Sequence, residues 1–195
     1  MILYFARRLK LKKLARELRT TIAAESVMFS RDIKVQYYDK LNQAALTLGA
    51  LGFFLHVLDR VSVRRNSDAL RKAAFVPVAS WLVRFFAKVS KKLDSGSAKT
   101  SKVDALNYVN LRCSEYNRAT SVLGSGAEDT TSALWLAASA IAADVGHQSQ
   151  GMLVLFIQER LLEGIMKLKL PQRLEAIEPL LGPPLGWGLM ASLRA

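Results

Sequence analysis

Over residues 34–60 the apolar side chains recur at helical spacing without a break: Tyr37, Tyr38, Leu41, Ala45, Leu48, Leu51, Gly52, Leu55 and Leu58. A helix of this kind is not stable alone in water. Most of its stability must come from burying its apolar stripe against other elements. Four later stretches offer matching stripes: Leu70, Ala74, Val78, Trp81, Leu82, Phe85 and Val89; then Val103, Leu106, Val109, Cys113 and Tyr116; then residues 133–145; then Leu153, Phe156, Ile157, Leu161, Gly164, Ile165 and Leu168. The period of 3.6 is present throughout and the period of two nowhere, so the fold predicted is all-α, an antiparallel helical bundle of about six or seven helices. Residues 34–60 are its expected centre, as the core of an amphipathic helix running over 25–63 with a break near Ser30.

Breaks in the pattern place the connections. Asn66 or Ser67 can cap a helix, with Asp68 in its first turn, and Pro77 should kink that helix from within. Residues 94–101, small and polar, read as a flexible linker, after which Ser101-x-x-Asp104 resembles a capping box. Residues 124–131 form a second loop, with a Thr or Ser cap for the apolar helix that follows. Pro171 stops one helix or starts the next, and Glu178-Pro179 ends the last. Three regions result: a basic amphipathic N-terminal helix at 1–24, the bundle at 25–178, and an irregular apolar tail at 179–195. Gly49-x-x-Gly52 lies inside the central stretch, where glycine costs about 1 kcal/mol relative to alanine, and so marks close approach of another helix, within the bundle rather than between copies.

Charge is unevenly distributed. Residues 1–92 carry 19 Lys and Arg against 6 Asp and Glu, whereas residues 93–195 carry 9 against 10, so the net +12 sits entirely in the first half. It is densest at the start, where Arg7, Arg8, Lys10, Lys12, Lys13, Arg16 and Arg19 are opposed only by Glu17. On a helical projection Tyr4, Leu11, Leu14, Ala15, Leu18 and Ile22 share one face and most of the cations the other. Such a helix can lie on an anionic membrane, dock an acidic protein, or pack its stripe on the bundle with its basic face in water. Arg64, Arg65, Arg71 and Lys72 form a second basic patch. Phosphate contacts need only cations on one face, so nucleic acid is the alternative partner. Trp81, Phe85 and Phe86 beside Arg84, Lys88, Lys91 and Lys92 could stack bases, but their spacing is that of core residues. A second copy of the chain is a further possible partner.

The inventory for catalysis is thin. No phosphate-binding loop, dinucleotide-binding glycine pattern, Gly-x-Ser-x-Gly or His-Glu-x-x-His occurs. With two histidines and Cys113 as the only cysteine, a Cys/His nucleophilic pair, a three-histidine metal site and an internal disulfide lack the residues they need. Asp144-x-x-His147, Glu159, Glu163, Glu115 and His56-x-x-Asp59 are the only candidates for a carboxylate-bridged metal pair, and they fit the required Glu-x-x-His spacing poorly. Neither metal nor organic cofactor is expected. His56, set among Phe53, Phe54, Leu55 and Leu58, reads as a core histidine bonded to a carbonyl or carboxylate. The longest apolar run, 44–58, stops at Asp59-Arg60, short of the roughly 18–20 residues of a spanning helix. No secretory signal is expected, because the first apolar run precedes the cations and no apolar core follows. The expectation is therefore a non-enzymatic helical adaptor or accessory protein, cytoplasmic and able to sit at the membrane, that docks an acidic surface through its basic half.

Overall fold

Asn42 decides how the central stretch is used. Its side-chain Oδ1 accepts the Ala45 backbone N–H at 2.8 Å, capping a new helix where continuous periodicity had predicted an uninterrupted one. The computed structural model, which describes residues 2–37, 40–64, 71–93, 102–124, 129–147 and 149–181, thus divides 25–63 between two helices, with the break at 37–42 and not at Ser30. α1 runs Ile2–Gln36, straight through residue 24, and α2 runs Gln43–Arg64. A π-helical turn, Arg71–Phe75, leads into α3, Val76–Leu93. α4 (Lys102–Tyr116), α5 (Ala133–Asp144), α6 (Gly151–Leu168) and α7 (Leu170–Ile177) follow, with a closing 3-10 turn at Glu178–Leu181. These seven α-helices form the expected all-α antiparallel bundle, with no strand among the described residues.

α2 is enclosed by α1, α3, α4, α5 and α7. Every residue from 46 to 58 is buried, Thr47 and His56 included, so this stretch is enclosed around its whole circumference and not amphipathic as its stripe implied. Two glycines allow this closeness. A Cβ on Gly49 would overlap Cγ1 of Ile141 on α5, and one on Gly164 of α6 would lie 2.5 Å from Cζ of Phe54. Gly52 faces Tyr108 and Arg112 of α4 at ordinary contact distance. The Gly-x-x-Gly pair therefore serves packing within the bundle.

Small hydroxyls let α1 approach α2 on the other side. Thr47 Oγ1 donates to Ser30 Oγ at 2.8 Å, and Ser30 Oγ in turn donates to the Val27 carbonyl. Ser30 thus satisfies its hydroxyl inside a continuous helix. At its end α1 is held to α6 by Tyr37, whose ring stacks on Phe156 with centroids 6.0 Å apart and whose hydroxyl donates to Gln150 Oε1 at 3.2 Å.

Pro77 acts at the start of α3 rather than in its middle. Its ring would clash with the carbonyl one α-turn back, and the wider π-helical turn of residues 71–75 relieves that clash before the α-helix proceeds. Ser132 caps α5 by accepting the Trp135 N–H at 3.1 Å, as its position predicts. α6 ends at Lys169, in the left-handed region with φ 47°, and Pro171 sits in the first turn of α7. The chain from Glu178 continues through Pro179 as the 3-10 turn. The linker at 94–101, the cap candidates Asn66, Ser67 and Asp68, and the tail from 182 lie outside the described residues.

Two helices, Gln43–Val63 and Arg71–Ser90, are long and apolar enough by composition to cross a bilayer, although no single uninterrupted run is. The first is 78% buried within the bundle, where enclosure by protein accounts for its hydropathy.

Candidate functional site

The apolar stripe of α1 is used inside the bundle: Leu18 and Ile22 are buried, and Leu11 and Leu14 pack partly buried against the core. What α1 presents outward is a different set. At about 100° per residue, Phe5, Leu9, Lys12, Lys13 and Arg16 fall on the opposite side, and all five are exposed, Phe5 by 54% and Leu9 by 66%. Two apolar side chains one turn apart thus lead into three cations. Arg8 and Lys10 are exposed on the two flanks of this face, and Arg7 is half-buried toward the bundle. Lys13 lies 4.0 Å from Glu17, an exposed pair of little energetic consequence.

Arg19 has a different role. It is half-buried, with its guanidinium carbon 4.8 Å from the centre of the Trp81 ring on α3. This cation–π contact ties the two helices, so Arg19 is a packing residue, set apart from the outward cations. Trp81 is further stacked on Phe85, with centroids 5.3 Å apart and planes within 10° of each other, and Phe86 is buried. These aromatics belong to the helix packing, as their spacing predicts.

The second basic patch is dispersed. Arg71 grips Asp59 with both nitrogens of its fork, Nε to Oδ1 at 2.5 Å and Nη2 to Oδ2 at 3.3 Å. Arg64 is the last residue of α2, and Arg65 lies outside the described residues. Lys72 instead opens an outward ridge along α3, in which Lys72, Val76, Ser80, Arg84, Lys88 and Lys92 are all exposed at successive four-residue steps. The sequence alone names Lys72 in the second basic patch and Arg84, Lys88 and Lys92 beside the aromatics without joining them into one ridge, and it leaves Leu9 out of the site. The four-residue spacing of Arg84, Lys88 and Lys92 was the signal that could have found the ridge.

Three of the carboxylates considered for a metal pair, Asp144, Glu115 and Glu163, are committed to arginines and a tyrosine. Asp144 accepts from Tyr108 Oη at 2.5 Å and from Arg112 Nη2 at 2.6 Å, while Arg112 Nη1 reaches Glu115 at 2.8 Å, a cluster that joins α4 to α5. Burial and the Asp144 carboxylate raise the Tyr108 pKa well above the ordinary phenol range, so it stays a donor. Glu163 pairs with Arg160 at 2.8 Å. Among the described residues no three His, Cys, Asp or Glu side chains gather into a group that could hold a metal ion. The Cys113 thiol is pushed up to about 11 by burial, with Asp59 adding to it, which keeps it protonated and unreactive near neutral pH. Comparison of the chain with family models, with curated proteins and with solved structures finds no match.

Proposed function

We propose that this chain is a non-enzymatic helical accessory protein that docks on an anionic membrane surface through the outward face of α1. One observation carries the proposal: the apolar stripe of α1 is taken up by the bundle, yet the opposite face still exposes Phe5 and Leu9 directly ahead of Lys12, Lys13 and Arg16. Cations near an anionic bilayer contribute about 1 kcal/mol each, and aromatic or aliphatic side chains beside them enter the headgroup region. The arrangement suits the cytoplasmic leaflet, where anionic lipid is concentrated. The bundle would then be the part that faces other proteins.

Co-sedimentation with vesicles tests this. The full chain should bind vesicles containing anionic lipid and not neutral ones, and Lys12→Glu/Lys13→Glu/Arg16→Glu should abolish binding. Equal binding to neutral vesicles, or undiminished binding by the triple variant, would overturn it. An acidic protein is the partner indicated if neither vesicle binds.

The ridge of Lys72, Arg84, Lys88 and Lys92 supports a second reading, nucleic-acid binding. α1 and α3 are neighbours at Arg19 and Trp81, so phosphates could meet cations of both helices. Affinity for DNA or RNA would then fall steeply with salt, with a slope set by the number of phosphates contacted.

A further inference from the structure

Apart from the basic faces, the least explained polar atoms in the molecule are buried together. The C-terminal part of α2 and the segment that follows α4 enclose a cavity of about 120 Å³. His56 Nε2, Tyr116 Oη and Ser121 Oγ are buried around it without a hydrogen-bond partner. His56 is 2% exposed and Tyr116 is fully buried. Buried polar atoms are almost always paired, so three orphans on one cavity mean that something else satisfies them.

The walls are preformed. The Thr120 N–H donates to the Thr131 carbonyl at 3.2 Å, the Ala133 N–H to the Ser121 carbonyl at 2.9 Å and the Leu134 N–H to the Val122 carbonyl at 2.9 Å. Together they pin the segment that carries Ser121 against the start of α5. The Tyr116 ring meets the His56 imidazole edge-on at 5.5 Å between centroids. Arg60, the one formally charged residue among the described residues of the lining, is anchored by Nη2 donating to the Asn117 carbonyl at 3.3 Å. Among the described residues no carboxylate lines the cavity. Burial above all, helped by Arg60 and opposed by Asp59, holds the His56 pKa down at about 4, so near neutral pH its imidazole is uncharged and can donate from one nitrogen.

We propose that this cavity binds a short-chain monocarboxylate, its two oxygens accepting from Tyr116, Ser121, His56 and Arg60 and its alkyl end resting on Val63, Ala119 and Val122. The polar and apolar parts of the lining select this chemistry. A carboxylate is an acceptor-only group with room for several donors, and the site offers four donors, one of them cationic. Inorganic phosphate would turn an oxygen toward the valines, and a neutral amide would give up the charge-assisted bond to Arg60. The volume is somewhat below the roughly 150 Å³ of an engineered cavity that admits benzene, which sets the size at a few carbon atoms.

Propionate, propionamide and inorganic phosphate, titrated into the full chain at constant ionic strength and followed by the imidazole resonances of His56 and the amide of Ser121, test the proposal. Saturable shifts with propionate, and weak or linear ones with the other two, are expected. Arg60→Gln and Tyr116→Phe should each weaken propionate about tenfold or more, and Val122→Phe should fill the cavity and remove the response. An absent propionate response, meaning that the cavity holds only water, would overturn the proposal. So would equal shifts from propionamide or from phosphate, or full affinity in Arg60→Gln. If a variant does not fold, the comparison of three probes on the unaltered chain decides alone.

Discussion

α1 and α2 lie side by side, yet their side chains do opposite work. From residue 46 to 58 α2 has no exposed position, whereas the first buried residue in the described part of α1 is Leu18. One helix is fixed on all sides by packing; among the described side chains in the first four turns of the other, Leu11, Leu14 and a half-buried flank face the core. Substitutions in α2 should therefore be read out as stability. On the outer face of α1 they should be read out as binding with stability unchanged, because exposed side chains away from caps and cores usually contribute within about 0.5 kcal/mol.

The largest contrast is expected from Phe54→Ala, which empties the position against Gly164 and should cost about 3–5 kcal/mol in chemical denaturation. An unchanged midpoint would mean that α2 is less tightly enclosed than its burial indicates. Acid should act on the same helix through His56. Its folded pKa of about 4 lies below the usual 6.5, so between those values the unfolded chain binds the extra proton. Stability should be insensitive to this group above about pH 6.5 and fall by up to about 3 kcal/mol as pH drops to 4. His56→Gln should flatten that part of the pH–stability curve, and an equally steep curve in the variant would assign the loss to other groups.

Gly49→Ala comes next. Overlap with Ile141 costs about 1–3 kcal/mol and the better helix propensity of alanine returns about 1, leaving a net loss of up to about 2 kcal/mol by thermal unfolding. A gain in stability would show that Ile141 yields easily. Arg19→Ala should lose the contact over Trp81, about 0.5–1 kcal/mol, whereas Arg16→Ala three residues away should lose almost nothing. Equal losses for the two would remove the distinction between a packing arginine and an outward one. Smallest in stability should be Phe5→Ser/Leu9→Ser, within about 0.5 kcal/mol. The same pair should reduce retention on anionic vesicles, and full retention would leave charge alone as the docking force.

These contrasts also separate what residue order conveys from what it does not. Helical periodicity located the bundle and its elements, because apolar spacing is a local property of the chain. Ser132 as a cap and Pro171 in a first turn were legible for the same reason, since both act within a few residues. The break between Gln36 and Gln43 was not, because Tyr37, Tyr38 and Leu41 carry the apolar period through it in the sequence, while the Asn42 cap interrupts the helix. Membership of the basic face was half legible. Lys12, Lys13 and Arg16 could be assigned to a polar side, but the retention of Arg19 by Trp81 and of Arg71 by Asp59 depends on neighbours 62 and 12 residues away.

By itself, then, the sequence determined an all-α chain with its positive charge in the first half, since period and charge are sums over neighbouring residues. Only the tertiary structure decided that α2 is buried all round, which cations face water, and that His56, Tyr116 and Ser121 share one cavity. Those outcomes depend on which helix faces are brought together across long separations, and spacing along a single helix carries no information about its partners.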